Sequence, residues 1–442
     1  MQRVEDGAFA DALLGRELGR SALAPRDQAL ATQLVYGTLA WQGYLDHIIA
    51  AFSRRPPQAL DAPVRTVLRL ALFQMCRLTR IPDFAAVDTA VNLIKRFHGG
   101  VAVSLVNAVL RRAAAGWQGV AFPSRADDPI AYLATGLSHP RWLVERWLAL
   151  YGFDETEALL HANNAAAPTT LRVNRRRVDA AALRTRLRDA GYAADATAYS
   201  PVGLCIEHGG SPERVPGYAD GLFSLQGEAS QLVGFMVGPQ PGEHVLDAGA
   251  APGGKTTHLA ELMDDRGAIV ALDTNARSVE RLKSMVRRLG LTCVRPVVAD
   301  ARTWEPVGGA YDAVLVDAPC SGLGTLREHP EVKWRRTPAD IDNLARLQRE
   351  ILSHAAGLVR PGGTLVYATC TLTDEENDTQ LAAFLTAQPR FTVDDPRPQL
   401  PERARDLVGA DGVLRTLPHR HGLDGFFAVR LKRRGEHDIV RP

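Results

Sequence analysis

Two cysteines each stand directly after an apolar run that has the length of a buried β-strand. Cys320 lies in Asp317-Ala318-Pro319-Cys320-Ser321-Gly322, and Cys370 lies in Ala368-Thr369-Cys370-Thr371. If the two runs form neighbouring strands, their ends lie only about 5 Å apart, and two thiols can face one bound molecule. A lone cysteine at a strand end is most often a small buried apolar residue. Two cysteines in these contexts instead favour covalent catalysis by an activated thiolate.

A loop of small residues joins an apolar run that ends at Asp247 to a predicted helix. It fits the Walker pattern G-x-x-x-x-G-K-[ST] to the letter, and its members are Gly249, Ala250, Ala251, Pro252, Gly253, Gly254, Lys255 and Thr256. Asp317, after the apolar run at 314–316, could then serve as the Walker-B acid of a P-loop NTPase acting on RNA. However, Pro252 removes an N–H donor that a phosphate needs, and Asp247 would repel a triphosphate but attract a cation. The loop therefore favours S-adenosylmethionine, which carries a sulfonium and an ammonium group.

Acidic residues stand at or just past the ends of four predicted strands, and they are Asp247, Asp273, Asp300 and Asp317. One such acid would be an ordinary strand-end residue or helix cap, whereas four along one ligand edge indicate a polar nucleoside. We expect Asp273 to accept the ribose hydroxyls and Asp300 to lie beside the adenine amino group. Asp317 would face the sulfonium side of the donor.

A methyl donor and two thiols together suggest a specific reaction. Carbon 5 of cytosine is not nucleophilic enough to take a methyl group unaided. A thiolate that adds at carbon 6 converts the ring into an enamine, which can attack the methyl group. A base must then remove the proton at carbon 5 so that the thiol can leave. The sequence therefore predicts a site where one pyrimidine ring meets the donor and both sulfurs.

Alternating strands and helices position these residues. Strands are predicted near 244–247, 268–272, 295–298, 312–317 and 364–369, and helices near 255–263, 275–289 and 339–359. Such alternation predicts a doubly wound, mostly parallel α/β sheet of the Rossmann type, with ligands at the carboxyl ends of the strands. At the start of the last helix, Thr337 can act as the cap and Pro338 suits the first helical position.

The first part of the chain has a different pattern. Apolar residues recur at steps of three and four up to about residue 120, which predicts an all-α bundle. A linker is predicted at 116–128, followed by a helix that Ser138 can cap. From 171 to about 218, short strands around a helix at 180–190 predict a small α/β subdomain. Between Leu171 and Arg188 lie seven arginines, Arg172 among them. They predict either contact with RNA phosphates or a solvated helix face.

Bulk properties narrow the class of protein. The chain has 442 residues and a net charge of +2, so any surface for nucleic acid must be local. The five scattered cysteines argue for a reducing cytoplasm, and the lack of a C-x-x-C pair argues against a structural zinc site. His419 and His421 have no third ligand, so we expect no metal. We also expect no signal peptide, no membrane span and a monomer.

Three segments of the bundle resemble the NusB-type RNA-binding domain, in the form fused to bacterial ribosomal RNA cytosine methyltransferases. They are Gln33-Leu34-Val35-Tyr36-Gly37-Thr38-Leu39, Arg80-Ile81-Pro82-Asp83 and Val106-Asn107-Ala108-Val109-Leu110-Arg111-Arg112. Residues 225 to 431 are similar to the NOL1/NOP2/Sun family of RNA 5-methylcytosine methyltransferases. Besides the cofactor loop and the two cysteine segments, the matching motifs are His329-Pro330-Glu331-Val332-Lys333-Trp334, Glu375-Glu376-Asn377 and Asp424-Gly425-Phe426-Phe427.

The resemblance implies a role for each candidate residue. Cys370 would be the nucleophile, and Cys320 would assist release of the methylated product. The loop from Gly249 to Lys255 would bind S-adenosylmethionine together with the acids Asp273, Asp300 and Asp317. The substrate would be 16S ribosomal RNA. Apart from the resemblance, the basic residues after the Cys320 loop predict either a grip on the phosphates around a flipped-out cytosine or a solvated basic loop. They are Arg327, His329, Lys333, Arg335 and Arg336.

The combined expectation is a multidomain protein with three parts. Residues 1–125 would form the NusB-like bundle, 126–222 the linker helices and small α/β subdomain, and 223–434 the methyltransferase domain. Two other functions remain as alternatives at this point. They are the P-loop NTPase and an RNA-docking protein without enzymatic activity.

Overall fold

The computed structural model describes residues 1–207, 212–306 and 309–435. Within these ranges the chain forms two compact units. The first unit contains Met1–Ala167 and also Leu326–Arg335, and the second contains the other described residues. The ten residues Leu326–Arg335 follow the Cys320 loop in sequence, but in space they belong to the first unit. The residue ranges of the three domains given above stay a prediction.

The first unit is built from helices. Their bounds are α1 Gln2–Glu5, α2 Ala10–Arg20, α3 Pro25–Ala40, α4 Gln42–Phe52, α5 Ala62–Arg77, α6 Asp83–Lys95, α7 Gly100–Gly116, α8 Pro129–Ala131, α9 Arg141–Tyr151 and α10 Phe153–Asn164. Short 3₁₀ turns lie at Pro57–Ala59 and Trp117–Gly119, and a π-helical turn lies at Tyr132–Gly136. The predicted all-helical bundle is confirmed.

Helix α5 supplies much of the core of this unit. A proline stands in its first turn, where the missing N–H leaves no helical bond unmade. Leu68 and Leu72 on its inner face are fully buried. Arg69 is buried too, and its guanidinium binds both carboxylate oxygens of Asp46 at 2.7 Å and one oxygen of Glu5 at 2.8 Å. A buried cation is tolerated here because its donors are paired.

Ser138 caps a different helix from the one predicted. Helix α9 begins at Arg141 without a side-chain cap. The Oγ of Ser138 instead accepts the N–H groups of Gly43 at 2.9 Å and Tyr44 at 3.4 Å, in the first turn of α4. The residue type correctly indicated a cap, but its helix is distant in sequence.

The segment Leu326–Arg335, with helix α15 at Val332–Arg335, packs inside the first unit. Lys333 is fully buried. Its Nζ donates to the carbonyl of Ala40 and to Oδ1 of Asn164, both at 2.8 Å. The prediction that Lys333 grips RNA phosphates is therefore wrong, because the ammonium group is enclosed by protein.

The neighbouring arginines also contact backbone carbonyls. The guanidinium of Arg335 donates to the carbonyls of Val4, Gly7 and Ala8. Arg336, which returns to the second unit, donates to the carbonyl of Ser321 at 3.0 Å. RNA contact by Arg327 and His329 stays a prediction.

The second unit begins with a small antiparallel sheet. Its strands are β1 Thr169–Val173, β2 Ala194–Ala196, β3 Gly203–Ile206 and β4 Phe223–Leu225, in the order β2-β3-β1-β4. Helix α11, Ala180–Asp189, follows β1 and starts at Asp179, whose side chain accepts the N–H of Ala182. This arrangement confirms the predicted small α/β subdomain.

The larger sheet of the second unit carries the predicted ligand edge. Its strands are β5 His244–Asp247, β6 Ala268–Asp273, β7 Val294–Val298, β8 Tyr311–Asp317, β9 Val359–Thr369, β10 Phe391–Val393, β11 Val413–Thr416 and β12 Phe426–Arg433. The order is β10-β12-β9-β8-β5-β6-β7, and β11 pairs with β12. Strands β5 to β9 are mutually parallel, and β12 runs antiparallel to β9. The strand order reverses between β5 and β8, where a doubly wound sheet opens its ligand crevice.

Helices accompany this sheet. They are α12 Glu228–Val237, α13 Gly254–Leu262, α14 Ala276–Leu289, α16 Pro338–Leu358, α17 Asp378–Ala387 and α18 Pro418–His421. Helix α16 begins as predicted, with Pro338 in the first turn and a reciprocal capping box between Thr337 and Asp340. The Rossmann-like architecture is confirmed, and β9 is longer than predicted at its amino end.

Candidate active site

The two cysteines meet where β8 and β9 end. These strands are parallel neighbours, with Asp317 opposite Ala368 in the register. Each cysteine follows a few residues later, and the Sγ atoms of Cys320 and Cys370 lie 3.3 Å apart. The expectation that two neighbouring strands bring both thiols together is therefore confirmed by the coordinates.

The two thiols are in unequal electrostatic surroundings. A hydrogen bond from the Cys320 thiol lowers the pKa of Cys370, and the cation of Lys255 lowers it further against the effect of burial. The same hydrogen bond and burial raise the pKa of Cys320, and the carboxylate of Glu376 adds to that rise. Of the two thiols, Cys370 is therefore the one that ionises more readily, and the thiolate is the form that attacks an electrophilic carbon.

Close packing explains the small residues of the loop after β5. A Cβ added to Gly249 would lie 2.2 Å from the carbonyl oxygen of Asp317, so only glycine fits. Gly253 has a φ of +113° and precedes α13, a conformation that L side chains rarely adopt. The loop is also tied to the sheet, because the N–H of Ala250 donates to the carbonyl of Leu272 at 2.9 Å.

Asp247 lies fully buried at the end of β5. Burial raises its pKa to about 7, although the hydroxyl of Thr256 donates to its Oδ2 at 2.7 Å and opposes that rise. The other oxygen, Oδ1, has no hydrogen-bond partner among the described residues. A buried acceptor left without a donor fits a bound ligand that brings an ammonium or hydroxyl group.

Lys255 connects the cofactor loop to the thiols. Its Nζ forms an ion pair with Oδ2 of Asp317 at 2.8 Å and lies 5.3 Å from the ring centroid of Phe426. Burial alone would lower the pKa of Lys255, but the carboxylate of Asp317 outweighs it and raises the pKa. Lys255 therefore remains a cation, and its charge is paired with a carboxylate of the protein itself.

The remaining two acids are more accessible. Oδ1 of Asp273, at the end of β6, accepts the N–H of Asn275 at 2.7 Å, which leaves Oδ2 for a ligand. Asp300, beyond β7, forms an ion pair with Arg302 at 2.7 Å. That arginine lowers the pKa of Asp300 and occupies part of its hydrogen-bonding capacity.

Comparisons with known proteins decide the family. Residues 235–432 match the family model described as 16S rRNA methyltransferase RsmB/F. Residues 1–115 match the NusB family, and 139–212 match the ferredoxin-like domain of RsmF/B-like methyltransferases. A probable ribosomal RNA small subunit methyltransferase B of Bacillus subtilis is 38% identical over 98% of this chain and 96% of its own length. The chain belongs to the RsmB/F family of 16S rRNA methyltransferases.

Solved structures agree with this assignment. The crystal structure of PH0851 covers 91% of this chain and 90% of its own, with a TM-score of 0.79 and 31% sequence identity. A methyltransferase homologue from Pyrococcus horikoshii covers 68% of this chain and 97% of its own, with a TM-score of 0.58 and 27% identity. As a member of the RsmB/F family the protein is an rRNA methyltransferase of the NOL1/NOP2/Sun type. The NTPase and the non-enzymatic docking protein are therefore set aside.

Sequence reasoning misjudged Arg172, which was grouped with the arginines for RNA. The side chain of Arg172 is fully buried beneath the RsmB/F cofactor loop. It binds both oxygens of Glu261, at 2.8 and 3.1 Å, and donates to Thr257 Oγ1 at 2.9 Å. It also donates to Gln226 and to the carbonyl of Gly254 at the start of α13. The prediction that Arg172 contacts RNA is therefore wrong, because its guanidinium N–H groups are bound to Gln226 and to residues of α13.

The glutamine partner gave no local signal of this pairing. Gln226 stands just before α12, in a segment that was expected only to pack over the sheet edge, and several other polar residues surround it in sequence.

Among the described residues, no helix of this RsmB/F family member combines the length and the apolar character needed to traverse a lipid bilayer.

Proposed function

We propose that the protein transfers a methyl group from S-adenosylmethionine to carbon 5 of a cytosine in 16S rRNA, through a covalent bond between Cys370 and carbon 6. The observation that carries the proposal is the 3.3 Å separation of the two sulfurs. Their strand ends adjoin the loop after β5, to which the ion pair of Lys255 and Asp317 connects them. The family membership supplies the rRNA substrate class and methyl transfer.

The donor supplies a methyl group made electrophilic by its attachment to a positively charged sulfur. The loop from Gly249 to Lys255 would hold it, with Asp273 as acceptor for the ribose hydroxyls and Asp300 toward the adenine. The Oδ1 of Asp247, which no described residue binds, would accept a hydrogen bond from the ammonium group of the donor. Asp317, which pairs with Lys255, would face the sulfonium side of the donor.

Cys370 begins the reaction as a thiolate. The target cytosine must leave its stack to reach a sulfur that lies at a strand end. The thiolate adds to carbon 6, the 5,6 double bond opens, and its electrons become available at carbon 5. They form the new C–CH₃ bond as the bond between the methyl group and the sulfonium sulfur breaks, and the sulfur of the donor keeps that electron pair and leaves as a neutral thioether. The hydrogen bond from Cys320 and the positive charge of Lys255 both lower the pKa of Cys370 and so favour its thiolate before the attack.

Release reverses the addition. A base takes the proton from carbon 5, that electron pair restores the 5,6 double bond, and the C6–S bond breaks. The sulfur of Cys370 departs as a thiolate. The thiol of Cys320, 3.3 Å away, can stabilise it by donating a hydrogen bond.

Two substitutions test the proposal. Cys370→Ala is expected to abolish methyl transfer while donor binding is kept, and Cys320→Ala is expected to accumulate a covalent protein–RNA adduct. The measurements are transfer of a labelled methyl group to rRNA and adduct detection on a denaturing gel. Cys205→Ala, in the small sheet, is the matched control and should leave both measurements unchanged. Full activity of Cys370→Ala would exclude it as the nucleophile.

The finer substrate and the assembly state are part of the same proposal. We infer that the substrate is 16S rRNA in the cytoplasm and that the protein acts as a monomer. Bisulfite sequencing of ribosomal RNA from a strain without the gene should show one unprotected cytosine in 16S rRNA that complementation restores. An unchanged 16S pattern would contradict this assignment.

A further inference from the structure

A fully buried carboxylate stands behind the two cysteines. Glu376 lies in the 3₁₀ turn Asp374–Glu376 and has no exposed surface. Its Oε1 accepts the backbone N–H of Ser321 at 2.8 Å and Nε2 of Gln348 at 2.9 Å. Its Oε2 accepts the hydroxyl of Thr373 at 2.7 Å. A buried carboxylate is tolerated because donors surround it.

These bonds connect two loops that are far apart in sequence. Ser321 directly follows Cys320, and Thr373 belongs to the segment that follows Cys370. Gln348 of α16 adds a second hold on the first loop, because its Nε2 also donates to the carbonyl of Pro319 at 2.9 Å. Cys320 is thus fixed through the residues on both of its sides.

Cys370 has further supports that do not involve Glu376. It follows β9, which is paired with β8 on one side and with β12 on the other. The carbonyl of Cys370 accepts the N–H of Gly324 at 3.0 Å. Asn377 accepts the hydroxyl of Thr369 at 2.6 Å and donates to the carbonyl of Thr371 at 3.0 Å. The residues on both sides of Cys370 are therefore held independently.

The Cys320 loop lies in no strand. Besides Glu376 and Gln348 it is held by Arg336, which donates to the carbonyls of Ser321 at 3.0 Å and Cys320 at 3.4 Å, and by the N–H of Cys370, which donates to Sγ of Cys320 at 3.4 Å. Between the end of β8 and α15 it forms turns and irregular backbone. Two of the hydrogen bonds that join it to the body of the second unit involve Glu376 and Gln348: the carboxylate of Glu376 accepts the N–H of Ser321, and Nε2 of Gln348 donates to the carbonyl of Pro319. The hydroxyl of Ser321 adds a contact with the hydroxyl of Thr371 at 2.6 Å. Loss of the carboxylate would therefore displace Cys320 more than Cys370.

We propose that Glu376, supported by Gln348, is a positioning residue that holds Cys320 within hydrogen-bonding distance of Cys370, so that product release depends on it and adduct formation does not. The proposal rests on the proposed function, because it assigns Cys320 to release. Glu376 contacts neither sulfur directly, so its role is to orient Cys320. A displacement of about 1 Å is enough to slow a catalytic step by up to a hundredfold.

The test separates formation of the covalent bond from its release. In Glu376→Ala, turnover is expected to fall between about tenfold and a hundredfold. Adduct formation with 16S rRNA should continue at close to the wild-type rate, so that adduct accumulates as in Cys320→Ala. Glu376→Gln keeps an oxygen acceptor for Ser321 and should restore most of the turnover. The matched control is Glu402→Gln, an exposed carboxylate in the turn Glu402–Leu407.

Several outcomes would overturn the proposal. One is wild-type turnover in Glu376→Ala, and another is loss of adduct formation in parallel with turnover. A variant that does not fold is recognised by its circular dichroism, and Gln348→Ala then decides: lowered turnover with wild-type adduct formation supports the proposal, and wild-type turnover or an equal loss of both opposes it. RNA with 5-fluorocytosine at the target separates this proposal from the proposed function. Absence of a stable adduct with the wild-type protein would refute the proposed function itself.

Discussion

The two ends of the ligand edge are built differently. At the end of β8 and β9, two sulfurs are backed by a buried network of Glu376, Gln348 and hydroxyl side chains. At the end of β6 and β7, Asp273 and Asp300 are partly exposed and bond mainly to residues two positions away. We call the first pair of strand ends the thiol end and the second, where we propose that S-adenosylmethionine binds, the donor end. Contacts between distant segments fix the thiol end, and local turns fix the donor end.

The difference follows from what each end must do. Bond making and breaking needs sulfurs that are placed to within a fraction of an ångström before the substrate arrives. Nucleoside recognition uses hydrogen bonds that an accessible carboxylate can complete once the ligand is bound. Substitutions at the thiol end or beneath the loop should therefore have large effects, and those at the donor acids smaller ones.

The largest effect is expected for Arg172→Leu. The variant leaves the buried carboxylate of Glu261 without its partner, and breaking a buried pair in this way typically destabilises a protein by about 3–5 kcal/mol. Denaturant unfolding should show the loss, and donor binding should weaken because α13 loses its support. Arg172→Leu combined with Glu261→Leu should recover much of the stability. A single variant as stable as the wild type would contradict a structural role for this clamp.

Asp273→Asn should have the next largest effect and should sharpen the comparison. Hydrogen bonds to a charged group contribute about 1.5–3 kcal/mol, so donor affinity should fall between about tenfold and a hundredfold. The rate at which iodoacetamide alkylates Cys370 should be unchanged, because Asp273 lies at the donor end and not beside the thiols. Isothermal titration calorimetry with S-adenosylmethionine measures the expected loss of affinity. An altered alkylation rate would show that the two ends are not independent.

Lys255→Met tests the link between the ends. Because the cation of Lys255 lowers the pKa of Cys370, the thiolate forms at lower pH in the wild type than in the variant. The curve of iodoacetamide reactivity against pH should shift to higher pH, and reactivity at neutral pH should fall several-fold. The measurement is made without donor or RNA, in a Cys320→Ala background with a matched parent. A curve that does not move would contradict activation by Lys255.

The smallest effect is expected for Asp300→Asn. Arg302 already binds both oxygens of this carboxylate, and exposed ion pairs of this kind contribute about 0–1 kcal/mol. Donor affinity should therefore change by about threefold or less. Equilibrium titration against the wild type checks this. A loss as large as that of Asp273→Asn would show that Asp300 binds the donor despite Arg302.

Periodicity and strand-end residues predicted the catalytic sheet well. Alternating apolar runs located the five parallel strands, and helix caps such as Thr337 located α16. The adjacency of β8 and β9, on which the sulfur distance depends, follows from the general order of doubly wound sheets. These features depend on local sequence and on rules that all such sheets share.

Long-range pairing could not be predicted in the same way. Arg172 looked like one of a run of surface arginines, but its partners Gln226 and Glu261 lie 54 and 89 positions away. Ser138 was correctly identified as a cap, but Gly43, whose N–H it accepts, lies 95 positions earlier. Glu376 was noticed only as part of a motif, because nothing near it indicates which loop it would hold. A single sequence carries no signal for such partners.

Placement of Leu326–Arg335 in the helical unit has an evolutionary consequence. A gene fragment that ends near codon 167 would encode a bundle without the ten-residue segment that supplies Lys333 to its interior. A bundle encoded by that fragment would therefore lack the ammonium group that bonds the carbonyl of Ala40 and the side chain of Asn164. A mutation in this segment is expected to affect the packing of the first unit, although its codons lie among those of the second.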